Sequence, residues 1–189
     1  MSLKKDFNEK IISFWRDDKM DETIKVIFLD VDGVLNNDKT TVRTKNGFDF
    51  VDDYLLERLK KIVKQTNAKI VLSSDWRFDR FTDDASDYKE LKAALEKNET
   101  PIYAHTGRAK ILRGSEILDW FNNWCGTPIA NFVIIDDLPA NNFNFSLLKG
   151  HFVHTNYRVG LEEEDVQKAI EILNNPELML NENWRKNNV

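Results

Sequence analysis

Cysteine is nearly absent: Cys125 is the single example among 189 residues. No intramolecular disulfide and no multi-cysteine metal site can form, which suits a reducing compartment. Glycine is scarce as well, with 7 in the chain. Neither GxGxxG nor GxxxxGK occurs, so the common loops that cradle nucleotide phosphates are excluded. Apolar runs stay short, as in Val26-Ile27-Phe28-Leu29, far below the roughly 20 residues a bilayer requires. Positive charge is not in excess either. Lys and Arg number 27 against 32 Asp and Glu, a net charge of −5, which excludes a polybasic grip on nucleic acid. The opening MSLKKDFNEK has no apolar core of a secretion signal, so the expected location is cytoplasmic. Repeats, low-complexity tracts and Pro/Gly/Ser-rich linkers are missing too.

Hydrophobic residues make up 41% of the chain, enough to build a full core. At roughly 150 residues per domain the length predicts one domain with appendages. The boundaries expected are a helical extension over 1–23, a main domain over 24–174 and a tail over 175–189. Within the main domain, short apolar runs alternate with amphipathic segments. The runs are IKVIFLD (24–30), AKIVLSS (68–74), PIYAHT (101–106), NFVIIDD (131–137) and HFVHT (151–155). Several are rich in Val, Ile or Phe, as strands buried on both faces are. Between them, apolar residues recur at helical spacing, for example Leu55, Leu59, Ile62 and Val63, or Ile117, Leu118 and Phe121. LEEEDVQKAIEIL opens with acids, which favour a helix N-terminus. This alternation predicts an α/β fold: a doubly wound, Rossmann-like parallel sheet of five strands with helices on both faces and no large cap domain. Ligands of such sheets sit beyond the carboxyl ends of the strands.

Two of those ends carry paired acids, Asp30 and Asp32 after the first run and Asp136-Asp137 after the fourth. Gly33 permits a tight turn beside the first pair. If the strands are parallel, four carboxylates meet at one edge, with the first strand central between the second and fourth. Their repulsion at a low-dielectric margin calls for a hard divalent cation with oxygen ligands, Mg²⁺ first. The competing reading is that each pair caps a turn or helix; two pairs at two strand ends weaken it. The second run ends in Ser73-Ser74-Asp75-Trp76-Arg77, where hydroxyls and N–H groups offer a phosphate seat or a helix cap. Lys110 and Arg113, ahead of the helix leading to the fourth strand, supply cations within reach of that edge. His151 and His154 stand three apart on the fifth strand and make no convincing metal pair. His105 closes the third strand, and Cys125 reads as packing.

IFLDVDGVLN resembles the first motif of the haloacid dehalogenase-like (HAD) superfamily, whose members are mostly Mg²⁺-dependent phosphatases. The strand ending at Ser73, the basic residue Arg113 (or Lys110) and the acidic pair Asp136-Asp137 follow in that family's order, over roughly residues 24–137. The details SSDWR, RGSEILDWF and VGLEEEDVQKAIEIL look most like the HAD domains of RNA-repair proteins, extending the likeness to about residue 174. Val34 departs from the pattern where many members carry Thr, and Asp75 stands where Ser or Asn is expected. The resemblance implies Asp30 as nucleophile forming an aspartyl phosphate, and Asp32 as general acid and base. It implies Mg²⁺ held by Asp30, Asp136 and the backbone carbonyl of Asp32, with Asp137 behind them orienting a bound water or Arg113. Ser73 and Arg113 would hold phosphate oxygens.

With no room for a cap, the open site fits a macromolecular phosphate, and the branch resemblance points to nucleic-acid ends. Arg43, Lys45, Arg77, Arg80, Arg108 and Lys110 are candidate contacts, with Trp76, Phe78 and Phe81 either stacking bases or packing a loop. The alternatives are a phosphatase of small metabolites or nucleotides, and a HAD-fold binding module without turnover. A signalling receiver domain is disfavoured, because its phospho-acceptor belongs on the third strand and here His105-Thr106 close that strand.

Overall fold

The computed structural model, which describes residues 23–77, 86–108 and 112–180, turns each of the five apolar runs into a strand. These are β1 (Ile24–Leu29), β2 (Lys69–Leu72), β3 (Ile102–His105), β4 (Ile129–Asp136) and β5 (Phe152–His154). Four helices connect them: α1 (Asp53–Thr66), α2 (Ser86–Lys97), α3 (Arg113–Asn123) and α4 (Glu163–Asn174). The strands pair in the order β3-β2-β1-β4-β5, every pair parallel. The helix expected within residues 1–23 lies outside the described residues apart from its last position. So do Phe78, Arg80, Phe81, Lys110 and the end of the tail.

Both faces of the sheet are covered, which is why its strands read as unbroken apolar runs. Alternate residues divide between the two faces. Ile27, Leu29, Ile70, Leu72, Val133 and Ile135 pack with Leu55 and Leu59 of α1, Leu91 of α2 and Val166 and Leu173 of α4. Val26, Phe28, Val71, Phe132 and Ile134 pack instead under α3, against Ile117, Trp120 and Phe121. Phe28 is fully buried, with edge-on ring contacts to Trp120, Phe121 and Phe132 at 5.2, 5.3 and 5.9 Å. Cutting it to Ala would cost about 3–5 kcal/mol.

Local chemistry sets the helix ends. Asn67 takes φ 54° and returns its N–H to the Val63 carbonyl, closing α1. The acids that open α4 form a reciprocal box between Glu162 and Asp165. At the far end of α4, buried Asn131 of β4 donates to the Ile172 and Leu173 carbonyls, satisfying groups the helix leaves open.

The chain runs outward from β1 to β2 and β3, then crosses back to β4 and β5. The reversal falls between β1 and β4, so a crevice opens at their carboxyl ends. No inserted domain is found among the described residues. No described helix is long and apolar enough to cross a membrane.

Candidate active site

Pairing of the strand ends assembles the site. Asp30 N–H donates to the Ile135 carbonyl at 3.0 Å, and Ser73 N–H to the Leu29 carbonyl at 2.8 Å. Asp30 therefore stands between Ser73 and Asp136, and strand alternation puts all three on the α3 face. Their burial is almost complete, with 5%, 1% and 1% of their surface exposed. Arg113, the first residue of α3, brings its Nε to 3.7 Å from Asp136 Oδ2.

Asp30, Asp136 and Asp137 each offer an oxygen within 4.8 Å of the others, a grouping able to hold a metal ion. Burial dominates their protonation. It raises the Asp30 carboxyl to about 6, against the opposing pull of Arg113, Ser74 and the Val31 N–H. Burial and then Asp30 push Asp136 well above the usual carboxylate range. Burial and Asp32 raise Asp137. Burial also works against charge on Arg113, yet Asp30, Asp136, Glu116 and Asp75 together hold its proton more tightly. Asp136 Oδ1 accepts from Leu138 N–H at 2.9 Å, whereas its buried Oδ2 has no hydrogen-bond partner. Crowded, electron-rich oxygens with one buried lone-pair donor unused fit a hard divalent cation. Asp137, which the sequence reading placed behind the ligands, offers an oxygen to the same grouping.

Asp32 is not one of that grouping, though its charge acts on Asp30 and Asp137. Its Oδ1 accepts from Asn36 Nδ2 at 3.0 Å and from Trp76 Nε1 at 3.1 Å, which fixes the carboxyl beside the turn. Asn36 also accepts from the Gly33 N–H at 2.9 Å, bracing the same turn. Trp76 is buried and packs near Phe50, so it serves the site from beneath and is not a stacking platform. Neither residue's link to Asp32 is visible in the sequence, because each depends on how the loop folds back.

Of the two hydroxyls after β2, that of Ser74 acts on Asp30, helping to hold its carboxyl down. Ser73, expected to hold a phosphate oxygen, is buried with no partner for its Oγ. The strand stops at Leu72, and the chain turns at once into a short 3₁₀ segment, Asp75–Arg77, which swings Ser74 toward the acid. Arg77 departs further from expectation. Its side chain is fully buried and ion-paired with Glu116, so it is no surface contact for nucleic acid. Arg43 is likewise engaged, with Asp49.

His105 is exposed and meets only the Thr106 carbonyl among its described hydrogen bonds. His151 is buried and stacked on Phe132 at 3.9 Å. His154 is exposed, its Nε2 3.0 Å from the Asp137 carbonyl oxygen. The two do not share a site. Cys125, expected to pack, is exposed. α3 ends at Asn123, and Trp124 takes the packing role by stacking on Trp120 at 4.7 Å. A cavity of about 320 Å³ lies alongside, lined by Gly107, Arg108, Glu116, Asp119, Trp120, Asn123 and Trp124. One of its lining residues, Glu116, also meets Arg113.

A parallel sheet with acids gathered at its switch point, and no second domain capping it among the described residues, fits a HAD-type fold. A family model described as the HAD domain in Swiss Army Knife RNA repair proteins matches residues 26–166. The chain belongs to that family and is a hydrolase of HAD type. No curated protein and no solved structure gives a significant match.

Proposed function

We propose that the protein is a Mg²⁺-dependent phosphohydrolase that works through an aspartyl phosphate and acts on phosphorylated nucleic-acid ends. The observation that carries this reading is the convergence of Asp30, Asp136 and Asp137 with Arg113 at the carboxyl edge of β1 and β4. Asp30, Asp136 and Asp137 would hold the cation, which lowers the charge barrier between a carboxylate and an incoming phosphate.

Asp30 attacks phosphorus, forming an O–P bond as the bond to the leaving oxygen breaks. Asp32, oriented by Asn36 and Trp76, gives its proton to that oxygen. It then takes a proton from the water that attacks the phosphoryl group, and the bond to Asp30 breaks with release of phosphate. Arg113 holds equatorial oxygens where transition-state charge accumulates. The partnerless Ser73 hydroxyl supplies a further donor.

Two observations favour a polynucleotide end over a free metabolite. The family occurs in RNA-repair proteins, and a nearby cavity is lined by half-buried Trp124, backed by the buried Trp120, a ring suited to a base. The test is hydrolysis of an aryl phosphate with and without Mg²⁺, for wild type and Asp30→Asn. Metal-dependent turnover that the variant abolishes, with the fold intact, supports the reading. Near wild-type turnover by a contaminant-free Asp30→Asn preparation overturns covalent catalysis at that residue, and no turnover on any phosphate leaves a binding module.

A further inference from the structure

Arg113 does not reach the carboxylates unaided. Its Nη1 lies 3.4 Å from Glu116 Oε2, one helical turn along α3, and its Nε lies 3.7 Å from Asp136. The side chains of Arg113 and Glu116 are each only 10% exposed. The same Glu116 oxygen pairs with Arg77, whose side chain has no exposure at all. Arg77 in turn donates to the Ser74 carbonyl and, at 3.1 Å, to the Gly107 carbonyl. One buried ion pair therefore ties together the turn after β2, the turn after β3 and the start of α3. Two of the tied residues, Ser74 and Arg113, act directly on Asp30.

We propose that Glu116 is a positioning residue that, anchored by buried Arg77, aims the Arg113 guanidinium at the phosphoryl oxygens. A long, flexible arginine without such an anchor samples many rotamers, and ordering it costs side-chain entropy. A buried pair that fixes one rotamer meets that cost at folding instead of at each substrate encounter. Had the pair served stability alone, apolar residues of similar volume would do as well. Its shared oxygen, placed between a structural and a functional arginine, gives it a use that apolar packing cannot supply. This inference rests on the phosphohydrolase reading for its kinetic arm only.

The experiment measures inorganic phosphate affinity by calorimetry with Mg²⁺ present, and kcat and KM on an aryl phosphate, for Glu116→Gln, Glu116→Asp and Arg113→Ala. Glu116→Gln strands a buried arginine, so R77M/E116Q, which removes both charges together, is measured alongside. Folding is checked by thermal melting, and whichever Gln variant folds is used. The expected result is a loss of about tenfold or more in phosphate affinity and in kcat/KM, with Glu116→Asp recovering most of it. In the Arg113→Ala background the Glu116 change should add less than about twofold, because nothing is left to aim. A folded Gln variant within about twofold of wild type on both measures overturns the proposal. So does full additivity with Arg113→Ala, the pattern of a merely structural pair. If wild type binds phosphate but hydrolyses nothing, the enzyme reading fails while the affinities still decide the role of Glu116. A wild type that binds no phosphate overturns both.

Discussion

The Asp137 carboxylate fills the space that a side chain on Gly33 would need: a Cβ there would lie 2.6 Å from Asp137 Cγ. Gly33 also holds φ at +69°, a conformation that costs other residues about 1–2 kcal/mol. The turn after β1 and the acid after β4 are thus fitted to one another. Gly33→Ala should lower stability by at least that amount and push Asp137 away from Asp30 and Asp136. Mg²⁺ affinity measured by calorimetry should fall more than the melting temperature alone would suggest. A variant that melts lower yet binds Mg²⁺ as wild type does would separate the turn from the metal group.

The raised carboxyls make metal binding a proton competition. Without a cation, a folded-state value of about 6 for Asp30 exceeds its unfolded value near 4. Its contribution to stability is then complete below about pH 4 and lost as pH rises through about 6. Asp136 and Asp137 shift in the same direction. Mg²⁺ should reverse the loss, so the rise in melting temperature on adding Mg²⁺ should be large at neutral pH and fade as pH falls through about 6. His151, held low by burial, destabilises the fold as pH falls below about 6.5, but it stacks on Phe132 away from the cluster. Its effect cancels in the difference between melts with and without Mg²⁺. A Mg²⁺ shift independent of pH over this range would contradict the carboxylate assignment.

Much of this architecture was legible in the residues. Strands buried on both faces must be apolar at every position, and an Asp closing such a strand stands out because packing alone gives it no purpose. That logic located Asp30, Asp136 and the central place of β1. What stayed hidden depended on turns and on distance along the chain. Which of Ser73 and Ser74 acts on Asp30 is decided by the two-residue turn between β2 and the 3₁₀ segment. The Arg77–Glu116 pair joins residues 39 positions apart, and no periodicity links them. Trp76 reads as one aromatic among several until its indole N–H is seen on Asp32.

The burial of Arg77 changes the expected outcome of its removal. An exposed contact to nucleic acid would, on mutation to Ala, weaken oligonucleotide use alone. Removing a buried cation paired with Glu116 leaves that carboxylate with the more distant Arg113 alone, and breaking such a buried pair costs up to about 3–5 kcal/mol. Arg77→Ala should therefore shift the denaturant midpoint strongly and depress aryl phosphate hydrolysis as much as oligonucleotide hydrolysis. A selective loss on oligonucleotides with unchanged stability would return Arg77 to the substrate surface.

The substrate prediction turns on the open edge of the sheet and the cavity beside it. With no cap over the site among the described residues, a small phosphate ester makes few contacts beyond its reacting group, and little binding energy is available to orient it. A phosphorylated oligonucleotide can add base stacking on Trp124 and phosphate contacts to basic residues such as Arg108, which lines the same cavity. Catalytic efficiency should therefore be higher on a 3′- or 5′-phosphorylated oligonucleotide than on the matching mononucleotide. The part of that advantage carried by phosphate contacts should shrink as salt rises. Trp124→Ala should lower oligonucleotide efficiency by about tenfold, the low end of base–aromatic stacking, while leaving a small alkyl phosphate unaffected. A net charge of −5 keeps long-range attraction small, so the difference between substrates must come from contacts at the site itself. Equal efficiency on mononucleotide and oligonucleotide at low salt would defeat the nucleic-acid reading and leave a phosphatase of small esters.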